Sequence, residues 1–197
     1  MKGLKLMNRI KILALFGESS SGKDSIQNWM VNNIENTHKI ISYTTRPPRE
    51  NEKDGEDYYF ISQKEFLKEI LQNKMLEYSY FNDWYYGTMK SSFEKDKINI
   101  GIFNPQGIRS LILKSEHDLS FEVLPVWIQV DDRTRLLRSL NREKNPNYEE
   151  ICRRFLTDKK DFSNLDFNYE VFLNDKDNFS NILNRPEINK FFKDEIN

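Results

Sequence analysis

The pattern of apolar and polar residues near the start of the chain predicts a strand followed by a helix. Ile10 to Phe16 is a nearly unbroken apolar run, which is typical of a strand that is buried on both faces of a parallel sheet. From about Lys23 to Ile34, apolar residues recur at every fourth position, which predicts an amphipathic helix. The two segments form a strand–loop–helix unit.

Apolar runs and helix-start signals continue along the chain. A second apolar run covers 39–45, and short strands are predicted within 75–87 and at 98–103, 121–130 and 169–173. Helices are predicted after Ser62, which opens a capping box, after Asn104 and after Asp131. Pro125 suggests an edge strand or a bulge, because proline cannot donate to a ladder. Strands that alternate with helices favour an α/β fold with a mainly parallel sheet.

Composition and charge narrow the class of protein. The 197 residues fit one domain, and 30 basic against 31 acidic residues leave no basic field for nucleic acid. Cys152 is the single cysteine, so we expect no internal disulfide, and the two histidines lack zinc spacing. Basic residues interrupt the apolar start of the chain, so we expect no signal peptide and no membrane span. We therefore expect a cytoplasmic protein, either a monomer or a homodimer.

A phosphate-binding loop lies between the first strand and the first helix. Gly17 to Lys23 reads Gly-x-x-x-x-Gly-Lys, in which inward-facing backbone N–H groups and the helix N-terminus attract phosphate. The lysine adds a mobile positive charge for the outer phosphates. The sequence therefore predicts ATP binding by Gly17, Ser19, Ser20, Ser21, Gly22, Lys23, Asp24 and Ser25.

The residue after the loop lysine is unusual. This position normally holds a serine or threonine whose hydroxyl reaches Mg²⁺, whereas here Asp24 comes first and Ser25 follows. Asp24 could hold Mg²⁺ directly or through water. It could equally be a first-turn carboxylate that the helix dipole favours. Both interpretations remain open, and Asp24 and Ser25 are the candidate metal ligands.

Three later segments resemble the guanylate kinase family. They are Ser-Tyr-Thr-Thr-Arg-Pro-Pro-Arg at 42–49, Asp-Gly-Glu-Asp-Tyr-Tyr-Phe at 54–60 and Tyr-Tyr-Gly-Thr at 85–88, and they occur in family order. The resemblance covers roughly residues 10 to 185. It implies a P-loop kinase core, an insertion that binds a nucleoside monophosphate, and a mobile lid. The implied reaction moves the γ-phosphoryl group of ATP to GMP or dGMP, with Mg²⁺ as cofactor.

The same resemblance divides the chain and assigns its residues. Residues 1–197 form one guanylate-kinase-like domain, with the core at about 8–41, 97–135 and 165–197, the insertion at about 42–96, and the lid at about 136–164. The acceptor phosphate would be held by Arg46, Arg49, Tyr58 and Tyr86, and guanine by Ser42, Glu77 and Thr88. Lys23 would act in catalysis with the lid arginines Arg142 and Arg154, for which Arg138 and Arg153 are substitutes. Asn174-Asp175 resembles a family Asn-Asp pair.

Residue chemistry agrees with these roles. Guanidinium groups match phosphate oxygens in pairs, and a carboxylate can accept from two adjacent guanine N–H groups. The arginines that follow Asp132 are either an ordinary solvated face or, beside a phosphate loop, phosphate ligands.

The chain also departs from the family pattern. Ile102 and Asn104 stand where carboxylates are expected, and we hypothesise that Asp24 restores one charge near the metal. This chain also resembles ribose 1,5-bisphosphate phosphokinase at 22–25, at Asn104 and at 124–126. We expect Asn104 to lie in the acceptor site. A sugar phosphate would leave Glu77 without a base to recognise, so we favour a guanylate-type acceptor, with strict or relaxed base and sugar specificity. A non-catalytic guanylate-kinase-like binding module is a further alternative, although the intact loop argues against it.

Overall fold

The computed structural model describes residues 9–49, 52–81, 83–142, 144–174 and 178–193, and its centre is a five-stranded parallel sheet. In chain order the elements are β1 (Ile10–Phe16), α1 (Lys23–Asn33), β2 (Thr37–Lys39), β3 (Tyr43–Thr44), β4 (Tyr59–Phe60), α2 (Gln63–Leu71), β5 (Met75–Phe81), β6 (Trp84–Met89), β7 (Ile98–Ile102), α3 (Pro105–His117), β8 (Phe121–Gln129), α4 (Asp132–Asn141), α5 (Tyr148–Asp161), β9 (Glu170–Leu173) and α6 (Pro186–Lys193). Short 3₁₀ turns cover Lys90–Ser92 and Phe179–Asn184.

The central sheet has the strand order β2-β7-β1-β8-β9, with every pair parallel. As its apolar run predicts, β1 is covered on both faces. Leu13 packs with α1 and α6 in one core cluster, and Ile12 packs with α3 in the other. The phosphate loop follows β1 directly, so it lies at the carboxyl edge of the sheet between two of its strands. Open parallel sheets bind ligands at this edge.

Several local predictions are confirmed. The capping box at Ser62 and Glu65 starts α2, and the side chains of Asn104 and Asp131 accept from backbone N–H groups at the starts of α3 and α4. The prediction of an edge strand or a bulge at Pro125 is wrong, because β8 is an interior strand between β1 and β9 and its pairing with β1 continues through Pro125 without a break in register. The pairing with β9 begins one residue later, so at Pro125 the described ladder has β1 as its partner and a missing N–H is tolerated.

A second sheet, with the order β4-β3-β6-β5, is built from residues 43–89. The apolar run predicted at 39–45 is split between the two sheets, because β2 ends in the central sheet at Lys39 and β3 begins in the second sheet at Tyr43. This sheet lies within the predicted insertion, and α5 lies within the predicted lid. The chain therefore has a second structural layer whose loops reach toward the phosphate loop.

Among the described residues, no helix combines the length and the apolar character needed to cross a membrane.

Candidate active site

One cavity of about 460 Å³ lies between the carboxyl edge of the central sheet and the second sheet. Its wall includes the predicted phosphate-loop residues Gly17, Ser19, Ser20, Gly22, Lys23, Asp24 and Ser25. It also includes the predicted acceptor and lid residues Ser42, Arg49, Tyr58, Glu77, Tyr86, Asn104, Arg142 and Arg154. The structure therefore brings the two predicted nucleotide sites together in one space.

Three predicted site residues lie behind this wall. Ser21 and Thr88 are fully buried, and Arg46 is 8% exposed. Each one contacts a group that supports the site: the Ser21 carbonyl accepts from Asn174 Nδ2 at 2.8 Å, Arg46 pairs with a carboxylate, and Thr88 hydrogen bonds to Glu77. These contacts place Arg46 and Thr88 directly beside Glu52 and Glu77, which line the cavity.

The phosphate loop depends on two glycines for its shape. A Cβ at Gly17 would lie 2.4 Å from the Ile128 carbonyl oxygen, so the loop passes too close to β8 for a side chain. Gly22 has a φ of 88°, in the left-handed region that favours glycine. Lys23 folds back over the loop, where its Nζ donates to the carbonyls of Gly17 and Glu18, each at 2.9 Å. Burial lowers the pKa of Lys23, against the raising effects of nearby carboxylates.

Asn174 supports the loop from below. It is 2% exposed, and its backbone N–H donates to the Gln129 carbonyl at 2.9 Å, which extends the sheet by one bond beyond β9. Its side-chain contact with Ser21 fixes the loop to the sheet. Asp175, the second residue of the predicted pair, lies outside the described residues.

Asp24 and Ser25 supply oxygen atoms at the donor end of the cavity. Both are exposed residues in the first turn of α1 and line the wall. Carboxylate and hydroxyl oxygens suit Mg²⁺, which is commonly held by one or two carboxylates together with substrate phosphates. No group of three or more His, Cys, Asp or Glu side chains that could hold a metal occurs in the described part of the chain. The donor set therefore fits Mg²⁺ that arrives with a nucleotide better than a permanent metal centre.

A carboxylate missed by sequence reasoning organises the arginines that are predicted to bind phosphate. Glu52 contacts Arg46 NH1 at 2.9 Å and Arg49 NH1 at 3.2 Å, and it also accepts from the Arg49 backbone N–H at 2.9 Å. Glu52 is 8% exposed at its side chain. Glu52 thus holds both guanidinium groups of the proline-rich corner in place. In the sequence, the signal that could have indicated this contact is the spacing, because Glu52 follows Arg49 by three residues.

Positive charge converges on the acceptor end of the cavity. Burial, followed by the charges of Arg46, Arg154 and Arg142, lowers the pKa of Arg49 to about 10, against the opposing effect of Glu52. Burial raises the pKa of Tyr58, so its hydroxyl is a neutral donor at ordinary pH. An anion with several oxygens, such as a phosphate, would relieve the repulsion among these arginines.

The opposite wall carries a buried carboxylate. Glu77 is 5% exposed, and burial raises its pKa to about 7, while hydrogen bonds from Thr88 and the charge of Lys114 act to lower it. Thr88 lies directly opposite on β6, and its hydroxyl is 3.3 Å from the Ser42 hydroxyl. These groups form a small polar surface that can pair with N–H and carbonyl groups of a base.

The two departures from the family pattern lie at the same wall. Ile102 and Asn104 both line the cavity. The Asn104 Oδ1 accepts from the Gly107 backbone N–H at 2.8 Å, and its Nδ2 donates to Ser79 Oγ at 2.7 Å. The amide therefore caps α3 and contacts β5 at once. Sequence reasoning did not identify Ser79.

The arginine-rich helices divide into three environments. Arg138, Arg142 and Arg154 line the cavity. Arg153 does not line it; its side chain is 45% exposed and pairs with Glu150. The interpretation of a solvated face is wrong for Arg135, which is 1% exposed.

Arg135 belongs to a buried network that joins α4, α5 and the phosphate loop. It pairs with Asp132 at 2.8 Å and with Asp158 at 3.5 Å, and the Ser19 backbone N–H donates to Asp158 Oδ2 at 2.7 Å. A carboxylate of α5 therefore accepts a hydrogen bond from one backbone N–H group of the loop. Asp158 lies in the charged run Asp-Lys-Lys-Asp at 158–161, so nothing in the local sequence marks it as buried.

Comparison with known proteins agrees with this geometry. The sequence model of the guanylate kinase family matches residues 9–188. A guanylate kinase of Wigglesworthia glossinidia brevipalpis is 31% identical over 185 residues, which cover 91% of this chain and 86% of the relative. A guanylate kinase of Helicobacter pylori is 32% identical over 167 residues, covering 82% and 79% respectively. The crystal structure of guanylate kinase from Anaplasma phagocytophilum shares the fold, with a TM-score of 0.69, 20% identity, and coverage of 98% of this chain and 89% of that chain.

The Arg135–Asp158 pair generates a stability prediction. Asp158→Ala should lower the free energy of unfolding by about 3 kcal/mol, because it leaves the Arg135 charge buried with a single, half-exposed partner. Adding Arg135→Leu should restore most of the loss, since two apolar residues replace a buried pair. Urea unfolding checks both variants, with Lys53→Ala in an exposed ion pair as the control. A double variant as unstable as Asp158→Ala alone would contradict this explanation.

Proposed function

The chain belongs to the guanylate kinase family, and from that premise we propose that it transfers the γ-phosphoryl group of ATP to GMP or dGMP. The observation that supports this most directly is that one cavity has a phosphate loop at one end and an arginine cluster beside a buried carboxylate at the other. Two polyanionic nucleotides could meet there with their phosphates facing each other.

At the donor end, the loop amides and Lys23 would bind the phosphates of ATP. Lys23 would then exchange its two carbonyl partners in the loop for phosphate oxygens. Asp24 and Ser25 would hold Mg²⁺, which neutralises charge on the β- and γ-phosphates when it is bound. The Ser19 amide would become available to phosphate only after Asp158 gives it up.

At the acceptor end, Arg46 and Arg49 would bind the phosphate of GMP with help from the hydroxyls of Tyr58 and Tyr86. Glu52 would hold the two guanidinium groups in place before substrate arrives. Glu77 would accept from guanine N–H groups, beside the hydroxyls of Ser42 and Thr88. This division gives one set of residues to the phosphate and another to the base.

Catalysis would come from positioning and charge neutralisation. Lys23 and the arginines Arg142 and Arg154 would stabilise the charge that develops on the transferred group. Phosphoryl transfer of this kind needs little proton chemistry from the protein. The insertion at about 42–96 and the lid at about 136–164 would close over the cavity and exclude water. We also propose a cytoplasmic location and a monomeric or homodimeric state.

The two alternative functions fit the cavity less well. A ribose 1,5-bisphosphate acceptor would leave the buried Glu77 and the Ser42–Thr88 pair without a base partner. A non-catalytic module would have no need for an intact phosphate loop facing an acceptor site. The kinase proposal uses both ends of the cavity.

The proposal is tested with purified protein, ATP and Mg²⁺ against GMP, dGMP, AMP, dTMP, dCMP and ribose 1,5-bisphosphate. We expect phosphorylation of GMP and dGMP. Lys23→Met should lower kcat by about 100-fold or more, because the transition state loses a charge-stabilising group. Lys53→Met, at an exposed lysine, is the matched control. Failure to phosphorylate any monophosphate would overturn the proposal.

The raised pKa of Glu77 generates a pH prediction. Its pKa of about 7 lies above the ordinary 4.5, so the acceptor form prevails above pH 7 and is lost as the pH falls. Between pH 8 and pH 6 we expect the KM for GMP to rise about tenfold, following the ionised fraction. The GMP phosphate also titrates near pH 6. The variant Glu77→Gln separates the titration of Glu77 from that of the GMP phosphate. This variant should bind GMP weakly, and its KM should depend less steeply on pH.

Asp24 generates a separate prediction about Mg²⁺. If its carboxylate contributes to the metal site, Asp24→Thr should require about tenfold more Mg²⁺ for half-maximal activity, because a charged oxygen ligand is replaced by a neutral one. Calorimetry of ATP binding with and without Mg²⁺ gives a readout that does not depend on turnover. Asp57→Asn removes another carboxylate from the cavity wall and serves as the comparison. Unchanged Mg²⁺ dependence and unchanged ATP binding in Asp24→Thr would refute the role.

A further inference from the structure

The base end of the cavity contains a second polar pair beside Glu77. Side chains of a strand alternate between its faces, so Glu77 and Ser79 share one face of β5 while Tyr78 and Tyr80 lie on the exposed face. Ser79 is 2% exposed and lines the cavity together with Asn104. Its hydroxyl is 2.7 Å from the Asn104 Nδ2.

The chemistry of its neighbours fixes the orientation of the Asn104 amide. The Gly107 backbone N–H can only donate, so the atom it contacts at 2.8 Å must be the amide oxygen. The NH₂ group then faces Ser79 and the cavity. One of its hydrogens goes to the Ser79 oxygen, and the second has no hydrogen-bond partner among the described residues.

Ser79 is also left with a hydrogen to donate. Its oxygen accepts from Asn104, and it makes no other hydrogen bond within the described ranges. Asn104 and Ser79 therefore both present donors to the cavity. The acceptor beside them is Glu77. A Cβ atom placed on Gly107 would lie 2.9 Å from Glu77 Oε2 and 3.4 Å from Asn104 Oδ1. Because both oxygens lie so near the same point, the Glu77 and Asn104 side chains are close neighbours.

This arrangement matches some purines better than others. A 6-oxopurine presents N1–H, which suits Glu77, and the acceptors O6, N7 and N3, which suit the donors of Ser79 and Asn104. Adenine has an acceptor at N1 and opposes the Glu77 carboxylate. Guanine differs from hypoxanthine only by the 2-amino group, whose two N–H groups need acceptors. Glu77 can take one of them, and Asn104 presents a donor where a carboxylate would have accepted the other.

We propose that the Ser79–Asn104 pair sets the base specificity of this kinase, so that it accepts 6-oxopurine monophosphates as a class and phosphorylates IMP as well as GMP. This inference rests on the proposed function and adds Ser79 as a specificity-determining residue. The 2-amino group contributes less to acceptor selection here than it would beside a second carboxylate.

The test measures kcat/KM for GMP, IMP and AMP with the wild-type protein and with Asn104→Asp. We expect the wild-type GMP to IMP ratio to lie below about 100, the discrimination that a single small contact supplies, and AMP to be a poor acceptor. Asn104→Asp should raise the ratio at least about tenfold, because it converts the donor into an acceptor for the 2-amino group. Aspartate caps helices as well as asparagine, so the start of α3 should be preserved.

Two further variants separate specificity from structure. Asn147→Asp makes the same change at another helix start, that of α5, and should leave the GMP to IMP ratio unchanged. Ser79→Ala should lower kcat/KM about tenfold for both GMP and IMP, because the oxopurine acceptors lose a donor. The proposed function is tested by the GMP result by itself: it holds if GMP is phosphorylated, whatever the result with IMP. With GMP active, a wild-type ratio above about 100 or an unchanged ratio in Asn104→Asp would overturn the inference.

Discussion

Repulsion among closely grouped positive charges is the constraint on which the site depends. Burial, together with the nearby charges of Arg46, Arg154 and Arg142, lowers the pKa of Arg49 to about 10. Such a cluster persists in a folded protein only if carboxylates hold its members apart and in register. Glu52 does this for two of them and Glu150 for a third. The same repulsion leaves the cavity prepared for phosphate, the anion that satisfies several guanidinium groups at once.

Local rules predicted the core of the fold. The bounds of β1 follow from its apolar run, and the starts of α2, α3 and α4 follow from capping residues, because both signals act within a few residues of sequence. The second sheet was less visible. Its strand β3 has two residues and gains its partners from β4 and β6, which lie about 15 and 40 residues away, so no local period records it.

The candidate site shows the same limit. Motif residues such as Lys23, Arg49 and Glu77 line the same cavity, since the motifs record spacings that the fold preserves. Asp158 and Arg135 escaped prediction because their burial comes from the packing of α4 and α5 against the loop. A run of arginines in sequence does not reveal which member turns inward. The pairing of Asn104 with Ser79 likewise joins residues 25 positions apart.

The exchange of a carboxylate for an amide at position 104 also explains how Glu77 can work. Burial raises the pKa of Glu77 to about 7 against the lowering effects of the Thr88 hydrogen bonds and the Lys114 charge, which leaves it half ionised near neutral pH. A second carboxylate, beside the Gly107 amide, would oppose that ionisation further, because neighbouring like charges raise a carboxyl pKa. Asn104 keeps the cap on α3 and the contact to Ser79 without adding this charge. The base end therefore retains one ionisable acceptor, while Asp24 places an additional carboxylate beside the phosphate loop, where the charge of Lys23 balances it.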